Sequence, residues 1–389
     1  MRLGWSALPN AILYPMFVHR RTPAKPSRRV AIIKLGKLGD NVLALGAIKA
    51  LVDKFGEENC TLVSSDYGRD LVALVFPRIE ILTVTTNHST LRRTLRDLLK
   101  LRRHPIFCEG AEVLVSLQHH RTLHDDLITS AIPAVKTWGL VNSELGEAGL
   151  SDQLLRASFA FDNVTPEPKL DPLVCRELTL HASLLSAVFG RTVTGTELRP
   201  RITFDDAIPR AAIGLAPFSG SVLRDIPLHL LLAACRAAKL LGYSVDIWAP
   251  SPSDLRIKTM VDRLKVETFA DVQLVHTPNT KDLVRAISAV RVVVSAESAP
   301  AHLAAAMNRP LVAILGGGHF GWFAPWTASD SQRWLYSREP CFSCNWVCVH
   351  SEPICITRIA ESDFQHALAS VLQADSIRTT EPAAEAANR

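Results

Sequence analysis

The chain has 389 residues, too many for one ordinary domain and enough for two. Hydrophobic residues make up 48% and charged residues 21%, which excludes a disordered chain. A net charge of +5 is too small to imply nucleic acid by itself but suits an anionic substrate or membrane surface, and eight cysteines in this length exclude a secreted disulfide scaffold.

Residues 1–28 read as an N-terminal extension. Leu3 to Val18 carries no charge, but it is shorter than the ~20 residues a membrane helix needs and is interrupted by Pro9 and Pro15. No small-residue cleavage signature follows. The segment is expected to pack on a domain or at a membrane interface. Nothing else resembles a membrane span, which places the protein in the cytoplasm.

The first clear element is Val30-Ala-Ile-Ile-Lys-Leu35, a short run rich in β-branched residues and expected to be a buried strand. It ends in Gly36-Lys37-Leu38-Gly39-Asp40, and a helical pattern runs from Asn41 to Phe55. Further strands are expected at Cys60–Ser64, Ile79–Val84 and Glu112–Leu117. Strands alternating with helices imply a parallel sheet covered on both faces. After a boundary near residues 195–210 the pattern restarts. Strands are expected at Ala211–Ala216, Tyr243–Trp248, Asp271–Val275, Val290–Ser295 and Leu311–Leu315, with a helix from Leu228 to Leu241 ended by Gly242. The fold class is therefore α/β, with domains at 29–200 and 201–375 and a disordered tail at 376–389. Ligands of open α/β sheets sit at the C-terminal ends of the strands, so two facing sheets would form a cleft.

The turn at Gly36–Asp40 is neither GxGxxG nor a P-loop. It offers a glycine pair that lets backbone approach a ligand, then a carboxylate at a helix start. Asp40 is either a helix N-cap or a general base in a cleft. In the second half, Ser295-Ala-Glu297-Ser298-Ala-Pro300-Ala-His302 follows a strand and opens a helix, with Ser298 as its expected cap. That helix start is a natural diphosphate site, and His302 lies one turn in, as a ligand contact or a satisfied structural histidine. The loop from Pro217 to Pro227 supplies Ser219, Gly220, Ser221 and Arg224, groups used in phosphate recognition but also common in solvated loops.

Cys341, Cys344, Cys348 and Cys355 are compact enough for a four-thiolate structural site for zinc or iron, for two disulfides, or for a free cluster; a reducing cytoplasm argues against the disulfides. Residues 91–103 form a basic amphipathic helix pattern. It is either a solvated face over an apolar stripe or a contact for anionic lipid or a phosphorylated glycolipid.

Taken in order, these motifs resemble glycosyltransferase family 9, the lipopolysaccharide heptosyltransferases, over roughly residues 29 to 375. The family's opening strand and Leu-Gly-Asp loop appear as Ile33 to Asp40, and its Leu-Gln plus basic residue as Leu117-Gln118-His-His-Arg121. Its cationic loop before Trp-Pro appears as Arg224-Asp-Ile226-Pro227. Its Asp-Ser-Gly-Pro-x-His appears as Glu297-Ser298-Ala299-Pro300-Ala301-His302, and its glycine loop leading to Pro-Trp as Gly316 to Trp326.

The resemblance implies a GT-B fold of two Rossmann-like domains, with the acceptor held by the first and the nucleotide-sugar by the second. It implies that Asp40 deprotonates the acceptor, with Lys37, Gly39 and Arg121 beside it, and that a heptose leaves an ADP-sugar with inversion. Ser219, Arg224, Glu297, Ser298 and His302 would meet the donor, with Asp254 as a ribose contact. No Asp-x-Asp pair occurs, so no metal cofactor is expected for catalysis. A lipopolysaccharide-type glycolipid is the implied acceptor, at the cytoplasmic face of the inner membrane and with no nucleic acid involved. Transfer to protein serines, as in autotransporter-modifying relatives whose cysteine cluster holds iron, is the enzymatic alternative; a non-catalytic nucleotide-sugar binder is the other. Glu297 and Ala299 in place of Asp and Gly, and Arg224 in place of Lys, bear on which donor is used.

Overall fold

The apolar runs that open the two halves of the chain become the central strands of two parallel sheets. In the computed structural model, residues 28–386 are described apart from 86–90, 120, 142–159, 167, 171–173, 205–208, 252 and 328. The N-terminal extension up to residue 27 lies outside the described residues. The chain divides into two compact units, Met1–Pro172 with Arg176–Leu198, and Leu173–Cys175 with Arg199–Arg389.

The first unit holds β1 (Val30–Lys34), α1 (Leu38–Phe55), β2 (Cys60–Ser65), α2 (Asp66–Val75), β3 (Glu80–Val84), α3 (Leu91–Leu101), α4 (Pro105–Cys108), β4 (Ala111–Ser116), α5 (Leu123–Ser130), β5 (Ala134–Leu140), β6 (Asn163–Thr165) and α6 (Arg176–Phe189). Its strand order is β3-β2-β1-β4-β5-β6. All five residues of β1 are buried, because helices cover both faces of a parallel sheet.

The second unit repeats the plan. β7 (Arg210–Ala216), α7 (Leu228–Leu241), β8 (Ser244–Ala249), α8 (Leu255–Thr268), β9 (Val272–His276), α9 (Thr280–Ser288), β10 (Val290–Ala296), α10 (Ala299–Ala306), β11 (Leu311–Ile314), β12 (Gln332–Leu335), α11 (Ile354–Thr357) and α12 (Glu361–Ala386) follow in order. The sheet order is β12-β11-β10-β7-β8-β9. Counted from each unit's first strand, both sheets therefore run 3-2-1-4-5-6, and strand order reverses between β1 and β4 and between β7 and β10. Those two reversals are where an open α/β sheet receives a ligand.

Gly242 ends α7 in the left-handed conformation, φ 69°, as a C-terminal glycine should. Three local expectations change. The first helix begins at Leu38 rather than Asn41, which puts Asp40 inside its first turn instead of at its N-cap. Strands β5, β6 and β12 have no counterpart in the sequence reading. Finally, α12 continues to Ala386 through the stretch expected to be disordered; Ala and Glu are strong helix formers as well as common in disordered tails.

Candidate functional site

In the first unit the chain turns out of β1 through Gly36. A Cβ there would sit 2.6 Å from the Asp40 Cβ, so only glycine lets the helix start fold this tightly. The turn is pinned by Asn41, whose side-chain amide donates to Gly36 O at 2.8 Å and Lys37 O at 2.9 Å, and by the Ser65 hydroxyl, which donates to Gly36 O at 2.7 Å. Asp40 Oδ2 accepts the Lys37 N–H at 2.8 Å. Burial raises the Asp40 carboxyl above its ordinary value and the Glu177 charge adds to this. Lys34, the Lys37 amide and His119 oppose the rise without cancelling it. A carboxylate with raised affinity for a proton, at the end of a central strand, has the makings of a general base. Lys37 is exposed, and Gly39 lies in the helix's first turn.

Behind this turn lies a buried charge cluster absent from the sequence reading. Glu177, 1% exposed, meets Lys34 Nζ at 2.6 Å, His119 Nδ1 at 2.7 Å and His181 Nε2 at 3.3 Å. Burial by itself raises the Glu177 carboxyl, but His119, Lys34 and His181 outweigh it and hold it well below the usual range. His181 is pushed down to about 4 by burial, so its ring is neutral and its Nε2–H donates to Leu117 O at 3.2 Å. A lysine inside an otherwise apolar strand was the one sequence signal for this cluster, since a buried ammonium demands a counter-charge. Arg121 is buried, 2% exposed. Its guanidinium meets Asp126 at 3.3 Å and lies 4.8 Å from the Phe161 ring.

In the second unit the loop after β7 is folded on itself. Ile226 N donates to Pro217 O at 2.9 Å, Ser219 N donates to Asp225 Oδ1 at 2.9 Å, and the Ser219 hydroxyl donates to Ser221 O at 2.7 Å. Arg224 leaves this loop and donates from Nη1 to Glu297 O at 3.3 Å, which joins the loops after β7 and β10 at the sheet's reversal point. Glu297 is 2% exposed, and its Oε2 has no hydrogen-bond partner among the described residues. Burial lifts its carboxyl to about 7, against the pull of Arg224 and the Gly316 amide. A buried, half-satisfied acid beside a fixed guanidinium is where pKa-perturbed functional groups concentrate.

Ser298 stands at the N-cap of α10 but does not cap it; its hydroxyl donates back to Ala296 O at 3.3 Å. His302 turns inward, accepts the Trp326 indole N–H at 3.0 Å on Nδ1, and stacks on that ring. Burial brings it down to about 4. Asp254 caps α8 through the Arg256 N–H at 2.9 Å, and Arg256 in turn reaches Asp225 at 3.6 Å.

The four C-terminal cysteines line one cavity of about 10 Å³ together with Gly317, Phe342 and Trp346. That space is the volume of a single small guest. Gly317 N donates to Cys355 Sγ at 3.2 Å. Burial and neighbouring thiols push Cys348 and Cys355 up, so both are protonated at neutral pH. Yet among the described residues no three His, Cys, Asp or Glu side chains are arranged to hold a metal. As placed, the thiols do not fit one.

Residues 237–349 match the family model for glycosyltransferase family 9 (heptosyltransferase). No curated protein sequence matches the chain. Among solved structures, a family-9 glycosyl transferase from Veillonella parvula superposes with TM-score 0.69 at 15% identity, covering 90% of this chain and 99% of that one. The ADP-heptose lps heptosyltransferase II of E. coli gives 0.63 at 15% identity, with 90% and 99% covered. E. coli heptosyltransferase WaaC with ADP gives 0.59 at 14% identity over the same shares. The strand orders described above and these superpositions make the fold GT-B. The match to the family-9 model lies within the second unit, and the chain shares the fold of the heptosyltransferase structures.

Proposed function

We propose that this chain is a glycosyltransferase that moves a heptose or related sugar from an ADP-sugar to a lipopolysaccharide core-type glycolipid, with inversion at the anomeric carbon. The observation that carries the donor half is the Arg224–Glu297 junction at the reversal point of the second sheet, beside the start of α10. Donor binding to the second unit and acceptor binding to the first belong to the same proposal.

In the reaction, Asp40 takes the proton of the acceptor hydroxyl as that oxygen attacks the anomeric carbon. The bond from that carbon to the diphosphate oxygen breaks, and the nucleoside diphosphate leaves with the electron pair. Arg224 meets the growing charge; fixed positive charge aimed at a leaving group is the largest lever available without a metal. Near-neutral Glu297 is suited to hydrogen-bond the donor sugar or phosphate in either protonation state.

The similar E. coli proteins are an ADP-heptose heptosyltransferase and a heptosyltransferase with ADP, which supports the donor. A screen of ADP-, GDP-, UDP- and CMP-sugars by thermal shift tests it. ADP and ADP-heptose should stabilise selectively; preference for UDP would overturn the donor assignment.

A peripheral membrane contact is proposed for α3. Leu95 and Leu99 are 46% and 60% exposed, one turn apart, with Arg96 and Lys100 exposed beside them. No helix among the described residues is long and apolar enough to cross a membrane. A zinc or iron ion on Cys341, Cys344, Cys348 and Cys355 is proposed as a structural fastener outside the reaction. Elemental analysis showing no stoichiometric metal would exclude it.

A further inference from the structure

The segment bearing the cysteines does more than close the end of the second unit. It lies along the Gly316–Gly318 loop after β11, with Ser343 N donating to Gly317 O at 2.8 Å and Asn345 N donating to Gly318 O at 3.1 Å. The Asn345 side chain meets His319 Nε2 at 2.6 Å. This seats the Trp346 ring directly on two glycines: a Cβ at either Gly316 or Gly318 would collide with it. The His319 ring meets the indole edge-on at 6.1 Å, and the Arg224 guanidinium carbon is 5.9 Å from the ring centroid.

The backbone that achieves this is strained. Ser343, Asn345 and Trp346 have φ of 66°, 50° and 61°. For a residue as bulky as tryptophan the left-handed region is a true outlier, and such strain persists where the surroundings over-determine it, often at functional sites. The indole Nε1 is also buried without a hydrogen-bond partner among the described residues. A ring placed at this conformational and polar cost, between a glycine loop and the cation that links the loops at the sheet reversal, is placed for its face. Packed against an aromatic face, a guanidinium loses freedom and gains cation–π attraction.

We propose that Trp346 is a positioning residue of the donor site: seated on the Gly316–Gly318 loop, it holds Arg224 in the arrangement that receives the diphosphate of a nucleotide-sugar. The proposal rests on the assignment of Arg224 to the donor diphosphate. It differs from a purely structural role because the effect of Trp346 must pass through Arg224 and must depend on the diphosphate.

The test is calorimetric titration of ADP and of adenosine into the full-length wild type, Trp346→Phe, Trp346→Leu, Arg224→Met and the Trp346→Leu/Arg224→Met double variant. Trp346→Leu should weaken ADP about tenfold, the scale of a lost partly desolvated cation–π contact, and leave adenosine unchanged. Trp346→Phe should retain most of the ADP affinity. In the Arg224→Met background the leucine substitution should cost nothing further. Equal losses for ADP and adenosine, or additive losses in the double variant, would overturn the proposal. Should Trp346→Leu fail to fold, Trp346→Met carries the same expectations. If instead Arg224→Met alone binds ADP normally, the underlying donor-site assignment is what fails.

Discussion

Replacing Glu297 by Gln should make the protein more stable at pH 8, the reverse of what removing a charged residue from a structured site usually does. Glu297 is 2% exposed, and burial raises its carboxyl from the ordinary 4.5 to about 7. A group whose folded pKa is raised holds its full stability below the unfolded pKa and loses it as pH rises through the folded value. Here the loss accumulates between 4.5 and about 7 and is constant above. A displacement of about 2.5 units at about 1.4 kcal/mol per unit makes the penalty about 3 kcal/mol at pH 8 and under about 1 kcal/mol at pH 5. Gln keeps the shape and carries no charge, so the variant avoids this cost. Urea unfolding of wild type and variant at both pH values measures it. The gap should be large at pH 8 and nearly vanish at pH 5, while ADP-sugar binding weakens in the variant, a site kept at the expense of stability. A gap independent of pH, or a variant less stable at pH 8, would refute the reasoning.

Other consequences follow from the same geometry. His181 and His302 are both brought from 6.5 down to about 4, so the unfolded chain takes up protons first and stability should fall as pH drops between those values. Thermal melts in the Glu297→Gln background would isolate this slope, because wild-type Glu297 works in the opposite direction. Glu177→Gln should cost about 3–5 kcal/mol by stranding Lys34, which is 2% exposed, and Lys34→Met with Glu177→Leu should recover most of it; chemical denaturation decides. Gly36→Ala should displace Asp40 and abolish transfer while the circular dichroism spectrum is retained; unchanged turnover would show that the tight turn is not needed.

Much of the scaffold was legible because buried parallel strands are continuous apolar runs. Val30–Lys34 and Val290–Ala296 could hardly be anything else. Strands that lack such a run were not legible: β5 carries Lys136 and Gly139, and β12 reads Gln-Arg-Trp-Leu. In the site, Asp40, Arg224 and Glu297 follow central strands, so strand–loop–helix punctuation pointed to them. Their partners come from distant chain. Nothing in the sequence near Lys34 says that its counter-charge is Glu177, 143 positions away, and nothing near Arg224 says that its ring neighbour is Trp346. His302 and Arg121 carry ligand-like chemistry in the sequence, but the fold directs both inward. Only packing distinguishes an inward histidine from a ligand-facing one.

The most direct test of the central claim compares transfer and binding in Asp40→Asn with purified donor and acceptor. The amide keeps the size of the side chain and can still accept the Lys37 N–H, but it cannot take the acceptor's proton. Turnover should fall by about 10²–10⁴-fold, the usual contribution of general-base catalysis, while ADP affinity stays within twofold of wild type. Transfer at near wild-type rate by Asp40→Asn would contradict the account.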